Sequence, residues 1–210
     1  MSIVRDLGIY LDSSLTMTVH ISRTVSNCFA ALKEVCSIRR SLHMRVMPSL
    51  VTALVLTRLY CGSASLAGLP TCQLYRQQSV LHAAARLVCW ARNYDYVTPL
   101  LQEPHRLSIS DRITFKLATL VFRCMHGLAQ AYLAETLNSA ADVDWRRRLS
   151  SGSSTALMVP MTRRRTLVDR AFSVVAAQVW NRLPTTLTSQ PSLLTFRQQF
   201  ETFLFEQSYS

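Results

Sequence analysis

The sequence predicts a mainly α-helical protein with very little sheet. Hydrophobic residues make up 49% of its 210 residues, which is enough for a buried core and too much for a disordered chain. Apolar residues recur at helical spacing over most of the length. The strand signals are few and short: a run at residues 4–12 and apolar patches near 155–168.

The run Val4-Arg5-Asp6-Leu7-Gly8-Ile9-Tyr10-Leu11-Asp12 reads as a short apolar strand that breaks at Leu7-Gly8. A strand needs a sheet, and nothing later in the chain offers one, so residues 1–14 are expected to be the last strand of something larger. Leu15–Leu42 follows as a long helix, with Ile21, Val25, Cys28, Leu32 and Val35 on one face and Arg39 and Arg40 in its last turn, where cations complement the dipole. Arg45–Tyr60 reads as a helix that is apolar nearly all round and therefore central. Gly62, Gly68 and Pro70 then break the chain.

Thr71–Arg92 is the third helix, with Leu74, Val80, Leu81, Ala84, Leu87 and Val88 as its apolar side. Tyr94–Ile109 reads as irregular, with prolines at 99 and 104. Ser110 or Asp111 caps a fourth helix that runs to His126 and ends at Gly127; its core face is Ile113, Leu117, Leu120, Val121 and Cys124. Ala131–Asn138 is a short fifth helix. The stretch 141–168, rich in Ser, Arg and Thr, reads as a basic loop with a small β-hairpin near 155–168. Arg170–Arg182 and a helix from Pro191 or Ser192, which buries Leu193, Phe196, Phe200, Phe203 and Leu204, complete a C-terminal pair over 169–210.

The chemistry-bearing residues exclude more than they propose. No two aspartates are adjacent in an apolar strand–turn setting that would hold two Mg²⁺ ions. Gly62-Ser63-Ala64-Ser65 lacks the spacing of a nucleophile elbow, and five glycines in all leave no phosphate-cradling loop. Cysteines 28, 36, 61, 72, 89 and 124 form no CxxC pair and have no zinc spacing with the histidines, which suits free thiols in a reducing compartment. Arg5 and Asp6 stand where the apolar stretch of a signal peptide would begin, so a nuclear or cytoplasmic location is expected, not secretion. The longest uncharged apolar helical stretch, Val46–Thr57, falls short of the roughly 20 residues of a membrane span, and no membrane partner is expected.

The charge is more informative. The net charge is +11, and of 23 basic residues only Lys33 and Lys116 are lysine, which leaves 21 arginines. Guanidinium groups fork onto phosphates and stack on bases, so the balance points to nucleic acid; a plain solubility surplus is the other reading. Three groups stand out. Arg146-Arg147-Arg148 and Arg163-Arg164-Arg165 flank the expected hairpin, either as phosphate contacts or as a solvated loop. Arg112, Lys116, Thr119 and Arg123 share one helix face, able to track a phosphate backbone or to be the ordinary wet side of the helix. The tryptophans at 90, 145 and 180 are candidates for base stacking, with Trp180 the one expected in the core.

Six runs in order, spanning nearly the whole chain, carry a family likeness. They are Leu7-Gly8-Ile9-Tyr10-Leu11-Asp12 with His20-Ile21; Leu54–Tyr60 followed by Leu66–Pro70; Gln78–Leu87; Arg112–Lys116 with His126-Gly127-Leu128-Ala129; Asp169-Arg170-Ala171-Phe172; and Trp180-Asn181-Arg182-Leu183-Pro184. Together they resemble the C-terminal part of the reverse transcriptase of non-LTR (LINE-type, jockey-like) retrotransposons. The resemblance implies that Leu7 and Gly8 belong to a primer-grip-like strand at 1–14, that residues 15–140 are a helical thumb-like region holding the template–primer duplex, and that the remainder handles nucleic acid.

The family's catalytic aspartate strand and its Ala-Asp-Asp turn have no counterpart in these residues, nor does its endonuclease domain. Leu59-Tyr60-Cys61-Gly62 stands where Asp-Tyr-Cys-Asn is expected, and Arg106 where a tryptophan is. The expectation is therefore a fragment of an RNA-directed DNA polymerase that is not an enzyme on its own. It needs no cofactor itself, since Mg²⁺ would serve only the absent palm, and its partners would be RNA, DNA and an upstream polymerase domain. The competing readings are a helical interaction module, which docks the apolar faces of Leu15–Leu42 and Pro191–Phe205 on a partner, and a remnant without function.

Overall fold

The computed structural model describes residues 3–43, 45–91, 107–137, 156–160 and 168–209. The protein is mainly α-helical with a small antiparallel hairpin. It forms two compact units, residues 1–110 with 208–210, and residues 111–207.

In the first unit the N-terminal segment is not a lone strand. Strands β1 (Ile3–Asp6) and β2 (Ile9–Asp12) pair with each other, Ile3 opposite Asp12 and Asp6 opposite Ile9. Leu7 and Gly8 form the two-residue turn, both with positive φ, 44° and 86°. That is the backbone a tight hairpin requires, and Gly8 supplies it at no steric cost while Leu7 is strained. A two-stranded hairpin is marginal alone, and this one leans on the helices behind it. The Tyr10 N–H donates to His20 Nδ1 at 3.5 Å, with the two rings 6.3 Å apart. Ile9 rests on the backbone of Gly62.

Helix α1 (Thr18–Ile38) starts three residues later than its apolar pattern predicts. The cause is Asp12, whose carboxylate accepts from the Thr16 N–H at 2.8 Å and from the Thr16 hydroxyl, tying residues 12–16 into a turn. Leu15 and Met17 take positive φ there, which no helix tolerates. At the far end Arg39–Ser41 tightens into a 3₁₀ turn, so Arg39 and Arg40 lie just past the α-helix and not in its last turn. His20, Ile21, Cys28, Ala31, Leu32 and Val35 are buried.

The second helical stretch is α2 (Met47–Val51), a π turn (Thr52–Leu56) and α3 (Thr57–Tyr60) in succession, with Pro48 in its first turn. It is not buried all round. Met47, Val51, Val55, Leu56 and Leu59 are buried, while Thr52, Ala53, Thr57 and Arg58 are exposed. A stripe spaced strictly by four drifts about 40° per step on an α-helix of 3.6 residues per turn. The wider π turn takes up that drift and keeps Met47, Val51, Val55 and Leu59 on one side.

After a 3₁₀ turn (Ser63–Leu66), α4 (Thr71–Val88) runs parallel to α1. Gln73 Nε2 donates to Thr18 Oγ1 at 3.3 Å, and Arg76 Nη1 to Ser22 Oγ at 3.0 Å. Most of residues 94–109, expected to be irregular, lie outside the described residues.

In the second unit α5 (Ile109–Met125), whose first two residues belong to the first unit, ends in a paired turn. The Leu128 N–H reaches Arg123 O at 2.7 Å and the Gly127 N–H reaches Cys124 O at 3.3 Å, with Gly127 at φ 65°. This is the glycine stop read in the sequence. The start lies at Ile109, one or two residues ahead of the expected Ser110 or Asp111 caps. Helix α6 is only Ala131–Ala134. A 3₁₀ turn (Val168–Arg170), α7 (Phe172–Asn181), α8 (Thr185–Thr188) and α9 (Leu193–Tyr209) follow. The Ser192 hydroxyl accepts from the Thr195 N–H at 3.2 Å and caps α9.

The core of this unit is aromatic: Phe122, Trp180, Phe196 and Phe200 are all 2% exposed or less. Trp180 thus fills the core as expected. Leu204 is buried too, and Leu193 and Phe203 are half-buried. On α1 and α9 these apolar residues are buried or half-buried, while Phe29, Ile38 and Leu194 of the same helices stay exposed. The hairpin expected near 155–168 lies largely outside the described residues. Of that stretch, Leu157 is held like a strand residue by one side chain, its N–H donating to Asn181 Oδ1 at 2.9 Å and its C=O accepting from Asn181 Nδ2 at 2.8 Å. Among the described residues no helix is long and apolar enough to cross a membrane.

Candidate nucleic-acid interface

Helix α5 builds the first cationic face. Ile113, Leu117, Ala118, Val121 and Phe122 are buried, and Arg112, Lys116, Thr119 and Arg123 lie on the other side, as their spacing predicts. That side is drier than the sequence implies. Arg112, Lys116 and Thr119 are half-buried and only Arg123 is exposed. Long basic side chains lay their methylenes on apolar surface, and in Arg112 the Nε of the guanidinium is covered as well.

The heads are also partly committed. Arg123 Nη2 donates to Leu128 O at 3.2 Å, where it offsets the negative end of the helix, and Thr119 Oγ1 bonds back to Phe115 O at 2.7 Å. Arg112 and Lys116 also have partners within the chain. One cation was not legible by spacing: Arg197 of α9 lies over the Phe115 ring at 5.9 Å and adds to the same face.

The hairpin tip is the second place. Leu7 is 90% exposed and Gly8 is exposed, so the turn projects as an apolar tip with nothing packed on it among the described residues. Behind it two guanidiniums flank one ring: Arg23 lies 4.5 Å and Arg5 5.5 Å from the Tyr10 centroid. The triplets Arg146–Arg148 and Arg163–Arg165, together with Trp145, lie outside the described residues.

A third cluster joins residues about fifty positions apart. The C-terminal halves of α1 and α4 border a groove of about 340 Å³ lined by Phe29, Leu32, Lys33, Arg39, Arg86 and Leu87 among others. Beside it Trp90 is 41% exposed, with the Arg39 guanidinium 3.9 Å from its ring. Sequence position makes Arg39 a helix-dipole cation, and the fold brings it to the same groove as Arg86.

The remaining reactive groups are muted. Burial pushes the thiols of Cys28 and Cys124 up, away from thiolate. All six cysteines are free. Among the described residues no three His, Cys, Asp or Glu side chains gather into a metal-binding group.

Burial holds His20 below its ordinary value of 6.5, and burial, then the Arg86 charge, does the same to His82. The unfolded chain therefore binds more protons than the folded one once pH falls below that value, and stability drops from there downward. The melting temperature is expected to fall between about pH 6.5 and about pH 5, and His82→Gln to flatten part of that fall. A melting temperature constant across that range would contradict it.

No family model matches the chain, and neither does any curated protein or solved structure.

Proposed function

We propose that the chain is the nucleic-acid-holding part of a LINE-type reverse transcriptase, gripping template and primer by their phosphates while a separate polymerase domain supplies the chemistry. On this reading it is not an enzyme by itself, Mg²⁺ belongs to the palm of that other domain, and the protein works in the nucleus or cytoplasm. The six ordered sequence runs support the family. The observation that carries the binding function is the α5 face, where Arg112, Lys116 and Arg123 line one side of a single rigid helix and Arg197 stands alongside. Cations spaced along a helix can follow a phosphate backbone, and each contact releases a counterion.

The test is salt dependence. A fluorescent RNA–DNA hybrid is titrated with the protein over a range of ionic strength. Each α5-face cation lost, as in Lys116→Gln or Arg197→Gln, is expected to lower the slope of log affinity against log salt by about 0.9 and to weaken binding about eightfold at about 0.1 M salt. Binding that is indifferent to salt, or unmoved by either substitution, would sink the reading in favour of a protein-docking module, because apolar docking responds little to salt.

A further inference from the structure

We propose that the groove between α1 and α4 is a separate binding site for single-stranded nucleic acid, which takes the strand's phosphates on Lys33, Arg39 and Arg86 and an unstacked base on Trp90. The proposal shares with the proposed function the premise that the chain holds nucleic acid, and it uses none of the α5 residues.

Charge is the first argument. Three cations converge on one groove, and no Asp or Glu among the described residues lines it. Because α1 and α4 run parallel, their C-terminal ends lie together at this place and bring two negative dipole ends. Each end amounts to roughly half an elementary charge, so together they offset about one of the three cations. About two positive charges are left over, and among the described residues no carboxylate lines the groove to offset them.

Hydrogen bonding is the second. Among the described residues the side chains of Lys33, Arg39 and Arg86 make no hydrogen bond or ion pair, and the covered Nε atoms of both arginines lack a partner. Half-buried guanidiniums are ordinarily matched to a carboxylate or phosphate, because their five donors are costly to leave unmet. Arg112 also has a covered Nε without a partner, but unlike the groove arginines it interacts elsewhere within the chain. The groove cations are therefore matched to an anion from outside.

The third argument concerns the aromatic rings, which favour a single strand over a duplex. Trp90 and Phe29 are each 41% exposed, one beside the groove and one on its wall. Trp90 closes α4 in the left-handed conformation at φ 57°, where the Ala91 N–H returns to Arg86 O at 3.0 Å. That position favours glycine, and a tryptophan held there under strain keeps its ring at the mouth of the groove against Arg39. A positive groove with open aromatic faces suits a strand whose bases are free to stack on protein, which bases inside a duplex are not.

The experiment uses the full chain with Trp145→Phe, so that Trp90 is the exposed indole and Trp180 the buried one. A short oligothymidylate is titrated in by anisotropy and by tryptophan fluorescence, alongside the RNA–DNA hybrid. The oligothymidylate is expected to quench Trp90. Lys33→Gln, at an exposed position that cannot upset the core, and Arg86→Gln are each expected to weaken oligothymidylate binding about eightfold at about 50 mM salt and to lower its salt slope by about 0.7, leaving hybrid binding unchanged. Unaltered oligothymidylate affinity in both variants overturns the groove, whatever Lys116→Gln does to the hybrid. Competition by inorganic phosphate at low millimolar concentration also overturns it, since a free anion would then be the occupant. Loss in the groove variants with none in Lys116→Gln upholds the groove and removes the α5 reading instead.

Discussion

Phe196→Ala is expected to cost about 3–5 kcal/mol of unfolding free energy, the range for deleting a large aromatic from a closed core. Phe196 is 0% exposed, with the Phe122 ring 4.6 Å, the Phe200 ring 5.5 Å and the Trp180 ring 6.0 Å from its centroid. It is the ring shared by α5, α7 and α9, so alanine leaves a cavity that no single neighbour can fill. Each pairwise contact removed adds about 0.5–1.5 kcal/mol beyond area burial. Against a typical total of about 5–15 kcal/mol the loss is large. Urea denaturation with the near-ultraviolet circular dichroism of Trp180 as a second probe would measure it. A loss under about 1 kcal/mol would mean that the aromatic cluster is not closely packed. Phe196→Leu should restore part of the loss.

Gly62→Ala is expected to cost about 2–4 kcal/mol, in two separable parts. The first is backbone: Gly62 has φ 64°, where an L side chain costs about 1–2 kcal/mol. The second is steric. A Cβ at this position would stand 2.7 Å from Ile9 Cδ1 and 2.9 Å from Ile9 Cγ1, so the hairpin must shift or Ile9 must turn away. Ile9→Ala should remove the second part and leave the first, giving a coupling of about 0.5–3 kcal/mol in a double-mutant cycle. Gly127→Ala is the control. Its φ is 65° but nothing lies within 4 Å of the added carbon, so only the backbone part should appear. Equal losses at Gly62 and Gly127, each measured by urea denaturation, would show that Ile9 yields without cost.

What the sequence made legible follows from what periodicity encodes. Stripes such as Ile21, Cys28, Leu32 and Val35, or Ile113, Leu117 and Val121, state which side of a helix is buried, and they are buried. Helix ends depend on single polar side chains. The Gly127 stop was readable because glycine signals it, whereas Asp12 holding Thr16 delayed α1 with no periodic trace. Residue pattern alone gives a single strand broken at Leu7-Gly8, because Leu7, in the first turn position, lacks the asparagine or aspartate that usually marks a hairpin turn. The π turn was invisible because four-residue spacing fits a wide turn as well as an α-helix. In the candidate interface, spacing placed Arg112, Lys116 and Arg123 on one face but could not tell that Arg123 spends a donor on Leu128 O. Lys33, Arg39 and Arg86 meet only because two helices run parallel, and no local pattern announces that.

The parallel pairing of α1 and α4 also orders events in time. The bonds between them join Thr18 to Gln73 and Ser22 to Arg76, separations of 55 and 54 residues. Until α4 has left the ribosome, α1 has no partner for that flank, and Leu32 and Val35 wait in water beside the shorter α2 and α3. Closing a chain segment of that length is entropically costly before any contact rewards it, so the pair should form late and set the pace of folding in the first unit. Synthesis halted between α3 and α4 would leave one flank of α1 exposed, a form suited to capture by chaperones.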